Sequence, residues 1–267
     1  MSAKTPTSFL EIALGKISKK YSNLPIHGLA LMVESDNLGL SILFDPNDSN
    51  GYPEGKTICF KFEDDKKGTK ITWLRTDKHR EKIWKHPDFL TLFFTNFEFV
   101  LGRLNSKISS VYVHFHQGNS MFLEQLNQVF ETRPNLRSSS VELAVNSELE
   151  IIGMLKCFDS ESLKLIQIDR KLTKINGPAD FHRVITIGKV ASLEQWKKAE
   201  TFKMEDVAVT AEIGKFENFK TAEIIFVEFP MSSVDKLKEV SLILQMVYSS
   251  WTIQVVQEEY TMSELTE

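Results

Sequence analysis

Residues 108–115 read ISSVYVHF, and the figure Ile108-x-x-Val111-x-Val113 within them decides how the chain folds. Val111, Val113 and Phe115 alternate with Tyr112 and His114, the period of two expected of a strand with one face against a core. The same figure recurs at Ile26, Leu29, Leu31 and at Leu163, Ile166, Ile168. Weaker copies stand at Ser138, Val141, Leu143, at Ala199, Phe202, Met204, and at Phe219, Ala222, Ile224. From Val111 onward the middle residues lie 30, 25, 36 and 20 positions apart. Leucine-rich repeats recur every ~20 to 29 residues with the pattern L-x-x-L-x-L, so the repeat is of that kind but loose.

Between these strands the apolar spacing changes to that of helices. Phe122, Leu123, Leu126, Val129 and Phe130 share one helical face before Arg133-Pro134, where proline forbids continuation. Ser147 with Glu150 and Ser192 with Gln195 have capping-box spacing, ahead of Ile151-Ile152-Leu155 and of Trp196 and Ala199. Ile213, Phe216 and Phe219 predict a short helix, and Val234, Leu237, Val240 and Leu244 a longer one. Alternating helices and strands favour a parallel sheet, because parallel neighbours need crossover connections.

Two stretches break the rhythm. Ile58–Phe62, the turn 64–68 and Lys70–Leu74 predict a β-hairpin, after a loop 46–55 rich in Asn, Gly and Pro. A long helix is then expected from about Pro87 through Leu90, Phe93, Phe94, Phe97, Leu101 and Leu104. Asp169–Phe181, with Gly177-Pro178, reads as a polar loop lengthening one repeat. The fold expected is α/β: an irregular leucine-rich-repeat-like helix–strand solenoid with a curved, mostly parallel sheet and an inserted antiparallel hairpin. Its parts are a divergent helix–strand unit over 1–51, hairpin and Phe-rich helix over 52–115, a repeat region over 116–260 and a tail over 261–267, in one continuous domain.

Composition excludes several function classes. Net charge is −4 and the densest basic stretch, Lys61–Arg80, is interleaved with Glu63, Asp64, Asp65 and Asp77, so nucleic acid is not an expected partner. Phe, with 19 copies, lacks a polar handle and belongs mainly to the core. Cys59 and Cys157 stand far apart, outside any C-x-x-C pair, against a disulfide framework or thiolate metal site. Met1–Ser8 has no apolar signal core, and no run approaches the ~18 to 20 apolar residues of a membrane span. Cytosol or nucleus is the expected compartment.

The chain offers little for catalysis. It has no G-x-S-x-G elbow, no G-x-G-x-x-G and no G-x-x-x-x-G-K-[ST] loop. His114 and His116 share a strand face, but zinc needs further ligands and none cluster nearby in sequence; both read as residues of an exposed strand face. Cys157, beside Phe158 at a helix end, reads as a small buried apolar residue. Trp196 shares a helical stripe with Leu193 and Ala199, which makes it an inward knob more readily than a binding anchor. No cofactor and no catalytic residue are expected, and an enzyme acting on a small molecule is the least favoured class.

Other residues carry a family likeness. Phe122-Leu123-Glu124-Gln125-Leu126 with Arg133-Pro134, Ile151–Phe158 followed by Asp159-Ser160-Glu161-Ser162-Leu163, and Glu194-Gln195-Trp196-Lys197-x-Ala199 resemble the FTH domain of the nematode F-box-A family. The likeness runs from about Phe122 to Tyr260, and Ile83–Leu104 with Lys85-His86-Pro87 resembles the helix preceding FTH in that family. It implies an adaptor: an F-box docks a Skp-type subunit of a cullin–RING ubiquitin ligase while the FTH region recognises partners. Residues 1–50 lack the Leu-Pro start and Cys-Arg-rich helix of an F-box; Phe9-Leu10-Glu11, Leu24-Pro25-Ile26 and Leu29-Ala30-Leu31 look like another FTH-type unit. Protein recognition is therefore expected, with substrate recruitment to a ligase or a free-standing scaffold or competitor as the two forms. The expected contacts are the outward strand positions Tyr112, His114, Glu142, Gln167, Lys203, Glu205 and Glu223.

Overall fold

The computed structural model describes residues 26–34, 36–44, 57–75, 78–85, 88–104, 107–115, 120–169, 183–205, 207–226 and, for the backbone, 250–255. All six stretches carrying the repeated figure are strands: β1 (Gly28–Val33), β6 (Ile108–Phe115), β7 (Ser138–Ala144), β8 (Leu165–Asp169), β10 (Thr201–Glu205) and β12 (Thr221–Phe226). They lie parallel and adjacent, in that order. The middle residue of each copy pairs with the next, so Leu29, Val111, Val141, Ile166, Phe202 and Ala222 form one row across six strands. All six are buried. A one-residue slip would turn every one of them to the other face, so burial fixes the register.

Around these lie β2 (Asn37–Leu43), β3 (Thr57–Asp65), β4 (Gly68–Arg75), β5 (Lys78–Trp84), β9 (Arg183–Thr186), β11 (Val207–Thr210) and β13 (Ser250–Val255). The sheet runs β5-β4-β3-β2-β1-β6-β7-β8-β10-β12-β11-β9, with β13 also paired to β12. The pairs from β1 to β5 are antiparallel and the others are parallel. The predicted hairpin is β3–β4, yet it is no separate insertion. With β2 and β5 it extends the same sheet by four strands.

One expectation fails here for a local reason. Ile83, assigned to the family-like helix, lies in β5 opposite Lys70. His79, Glu81 and Ile83 alternate with Arg80, Lys82 and Trp84, and charges of this density suit an edge strand, where they oppose further pairing. The helix α1 (Phe89–Leu101) starts at an Asp88 cap whose carboxylate accepts from Thr91 N at 2.9 Å and Thr91 Oγ1 at 2.8 Å. Pro87 lies outside the described residues, as does the helix expected over Val234–Leu244.

Among the described residues the helices pack on one face of the sheet. Phe93 of α1 meets Phe62 of β3 at 5.6 Å, and Phe122 of α2 (Ser120–Glu131) meets Phe115 of β6 at 5.9 Å. In α3 (Glu148–Leu155) Ser147 Oγ accepts from Glu150 N, but Glu150 Oε2 accepts in return from Asn146 N at 2.6 Å rather than from Ser147 N. No such box closes at α4 (Glu194–Lys198): Ser192 Oγ donates to Lys189 O and Gln195 Nε2 to Phe158 O. Trp196 is the inward knob expected. It is 0% exposed, its ring centroid is 4.9 Å from Phe202 and 5.1 Å from Phe219, and Nε1 donates to Lys215 O at 2.8 Å. Burying aromatics of this size contributes roughly 1.5–3 kcal/mol each.

Candidate partner-binding face

The face away from the helices is made by the alternate residues, and the same register aligns them. Tyr112, Glu142, Gln167, Lys203 and Glu223 stand in one unbroken row, one on each of β6, β7, β8, β10 and β12. The row continues through Ala30, Ser41, Cys59 and Leu74 on the antiparallel side and Thr252 on the other. His114 and Glu205 belong to the next row, which reads Met32, His114, Ala144, Asp169, Glu205. All seven residues expected at the site therefore meet on one surface.

They are not equally open. Met32 is 45% exposed, whereas His114 is 9% and Ala144 0% exposed. His114 thus departs from the exposed position expected of it. The Tyr112 ring stands edge-on to it at 6.2 Å and 86°, with the hydroxyl 3.4 Å from Nδ1. His116 lies outside the described residues.

Charge is unevenly spread along the rows. Lys203 Nζ and Glu223 Oε1 pair at 3.2 Å. Glu142 is half-buried, and desolvation, then the negative charges of Asp169 and Glu205, hold its carboxyl above the usual range. Asp169 was overlooked in the sequence because it opens the stretch read as a polar loop; the alternation Gln167-x-Asp169 is the signal that finds it. On the antiparallel side, Lys61, Glu63, Lys70 and Glu81 neutralise one another in a surface network with contacts of 2.6 to 3.3 Å. That accounts for the interleaved basic stretch.

Cys157 is buried, its thiol is pushed up to about 12 by desolvation, and Sγ donates to Gly153 O at 3.4 Å. A thiol held neutral in this way is a poor nucleophile. Among the described residues no group of three or more His, Cys, Asp or Glu is placed to hold a metal ion, and no helix is long and apolar enough to cross a membrane.

The family model of the FTH domain matches residues 120–264, more than half the chain. The chain belongs to the FTH-domain family. The match takes in α2, α3, α4 and the strands from β7 to β13, so the FTH domain supplies four of the five residues in the central row. A curated relative, F-box A protein 224 of Caenorhabditis elegans, is 23% identical over 217 residues, covering 79% of this chain and 51% of its own length. The chain thus spans about half the length of that relative. No solved structure matches.

Proposed function

We propose that this FTH protein is a protein-recognition module whose partner lies across the strand face opposite the helices. The observation that carries the reading is the single row Tyr112–Glu142–Gln167–Lys203–Glu223, which sets five polar side chains of four kinds on five adjacent parallel strands. His114 and Glu205 flank it. Strand faces of stacked helix–strand units offer long surfaces with fixed side-chain spacing, which suits a protein partner better than a small molecule. The repeat is then a leucine-rich-repeat-like solenoid, its units over 1–51, 52–115 and 116–260 acting as one domain in the cytoplasm or nucleus, without catalysis.

The finer reading is recruitment of that partner to a cullin–RING ubiquitin ligase, supported by the F-box A relative and by the FTH likeness. Purifying the tagged chain and its Lys203→Glu variant from native cells, with mass spectrometry of both, tests the two layers separately. A partner present with the wild type and lost with the variant supports the face. A Skp-type subunit and a cullin in both samples support recruitment, whereas a partner without ligase subunits makes the protein a free-standing scaffold or competitor. Equal recovery of the partner by both forms overturns the strand face.

A further inference from the structure

At the start of the strands, away from His114 and Glu205, lies a hollow of about 160 Å³. Leu101 and Leu104 from the end of α1, Phe130 from the last turn of α2, and Leu136 from the approach to β7 make its apolar lining, and Arg133 and Arg137 line it as well. The two arginines stand differently. Arg133 is engaged, its Nη2 donating to Glu98 Oε2 at 2.9 Å. Arg137 is exposed, and its guanidinium has no ion pair or hydrogen bond among the described residues. Arg103 and Lys107 add positive charge within three positions of Leu104, Arg103 lying 5.6 Å over the Phe99 ring, while Glu98 and, beside Phe130, Glu131 are the opposing acids. Cations near helix C-termini commonly serve the last carbonyls. Arg137 has no such duty, since it lies beyond Pro134 and six positions past the end of α2.

Size and charge together select the occupant. Small-molecule sites run from about 300 Å³ upward. A hollow of about 150 Å³ holds a single benzene-sized ring, so this one fits one bulky apolar side chain. Such a pocket beside an unpaired guanidinium favours a carboxylate next to that side chain, because arginine binds carboxylates in a two-pronged geometry. A phosphate backbone would instead need a broad basic face, and this hollow has an apolar floor.

We infer that the Leu101–Phe130–Arg137 hollow is a second docking site, taking a short peptide of a protein partner in which one bulky apolar residue is flanked by acidic ones. It is separate from the strand face and stands without it. The test is fluorescence anisotropy of the full chain with two labelled peptide pools, each with a central Phe, Leu or Trp, flanked in one pool by Glu and in the other by Lys. The acidic pool is expected to bind about tenfold more tightly, an alanine at the centre to weaken binding by a similar factor, and Arg137→Glu to reverse the preference. Arg137 is exposed, so that variant keeps the fold, and Lys203→Glu on the strand face leaves peptide affinity unchanged. Equal affinity for both pools, indifference to Arg137→Glu, or no binding of either pool at millimolar peptide overturns the proposal.

Discussion

Lys203 and Glu223 occupy register-paired positions on β10 and β12, with Nζ 3.2 Å from Oε1, in the same cross-strand row as Glu142. The pair is half-exposed, so its worth to stability is small, about 0–1 kcal/mol. Its worth to a partner is larger if it sets the sign of charge along the row. The exchange Lys203→Glu with Glu223→Lys keeps the pair and reverses its direction. Unfolding midpoints in urea are expected to move little, while affinity for the partner falls at least about tenfold. Unchanged affinity would show that the partner reads some other surface.

Glu142 gives a pH-dependent test of the same face. Its carboxyl is held above the ordinary value near 4.5 by desolvation and by Asp169 and Glu205, so the folded chain holds that proton more tightly than the unfolded chain does. The stability this contributes is present below the unfolded value and is lost as pH rises through the raised folded value. Glu142→Gln is thus expected to be more stable than wild type at neutral pH, by about 0.5 kcal/mol, the scale of like charges on neighbouring strands. The gain should vanish in acid, where both forms are neutral. Urea midpoints of the two proteins across that range measure it, and a gain that persists in acid would assign the effect to packing.

Much of this face was legible because alternation fixes it. Once Val111 and Val113 point to the core, Tyr112 and His114 must point the other way, and equal treatment of every repeat brings Glu142, Gln167, Lys203 and Glu223 into line. The strands that were missed lack that contrast. Residues 37–43 of β2 read NLGLSIL, with Gly39 and Ser41 outward, and small residues at those positions weaken the strand signal. A Cβ at Gly39 would lie 3.0 Å from the Met32 Cβ, a tight contact that favours the smallest residue at this position. Residues 78–84 of β5 are largely charged, and pairing with β4, which no local rule foretells, makes them a strand. The burial of His114 escaped for a different reason: period two gives direction, while exposure depends on neighbours such as Tyr112 and Ala144.

Trp196 separates core from contact. Its ring packs among Phe202, Phe216 and Phe219, and its carbonyl accepts from Asn218 Nδ2 at 2.7 Å. Trp196→Phe removes the donor to Lys215 O and leaves a void, with an expected cost of about 1–3 kcal/mol. Trp196→Ala should cost about 3–5 kcal/mol. Chemical denaturation measures both. Partner affinity of the folded Trp196→Phe protein should equal that of wild type; a large loss of affinity at normal stability would make the indole an anchor.

Where the repeats start, Glu200 ties three strands together. Its backbone nitrogen donates to Lys164 O, and its carbonyl accepts from Lys220 N and Thr221 N. Its carboxylate bridges Lys164 Nζ at 2.8 Å and Lys220 Nζ at 2.9 Å. Hydrogen bonds from those two ammonium groups, reinforced by their charge, lower its pKa from 4.5 to about 2. A lowered carboxyl pKa contributes stability that is present above the unfolded value and lost as pH falls toward the folded one. Because all three side chains are well exposed, solvent screening limits the contribution to about 1 kcal/mol or less. Glu200→Gln should therefore be slightly less stable at neutral pH, and the difference should close between about 4.5 and about 2. Raising the salt concentration at neutral pH should close most of it as well. A deficit that survives both acid and salt would mean that the side chain acts by packing, and the charge strap across Lys164, Glu200 and Lys220 would carry no stability.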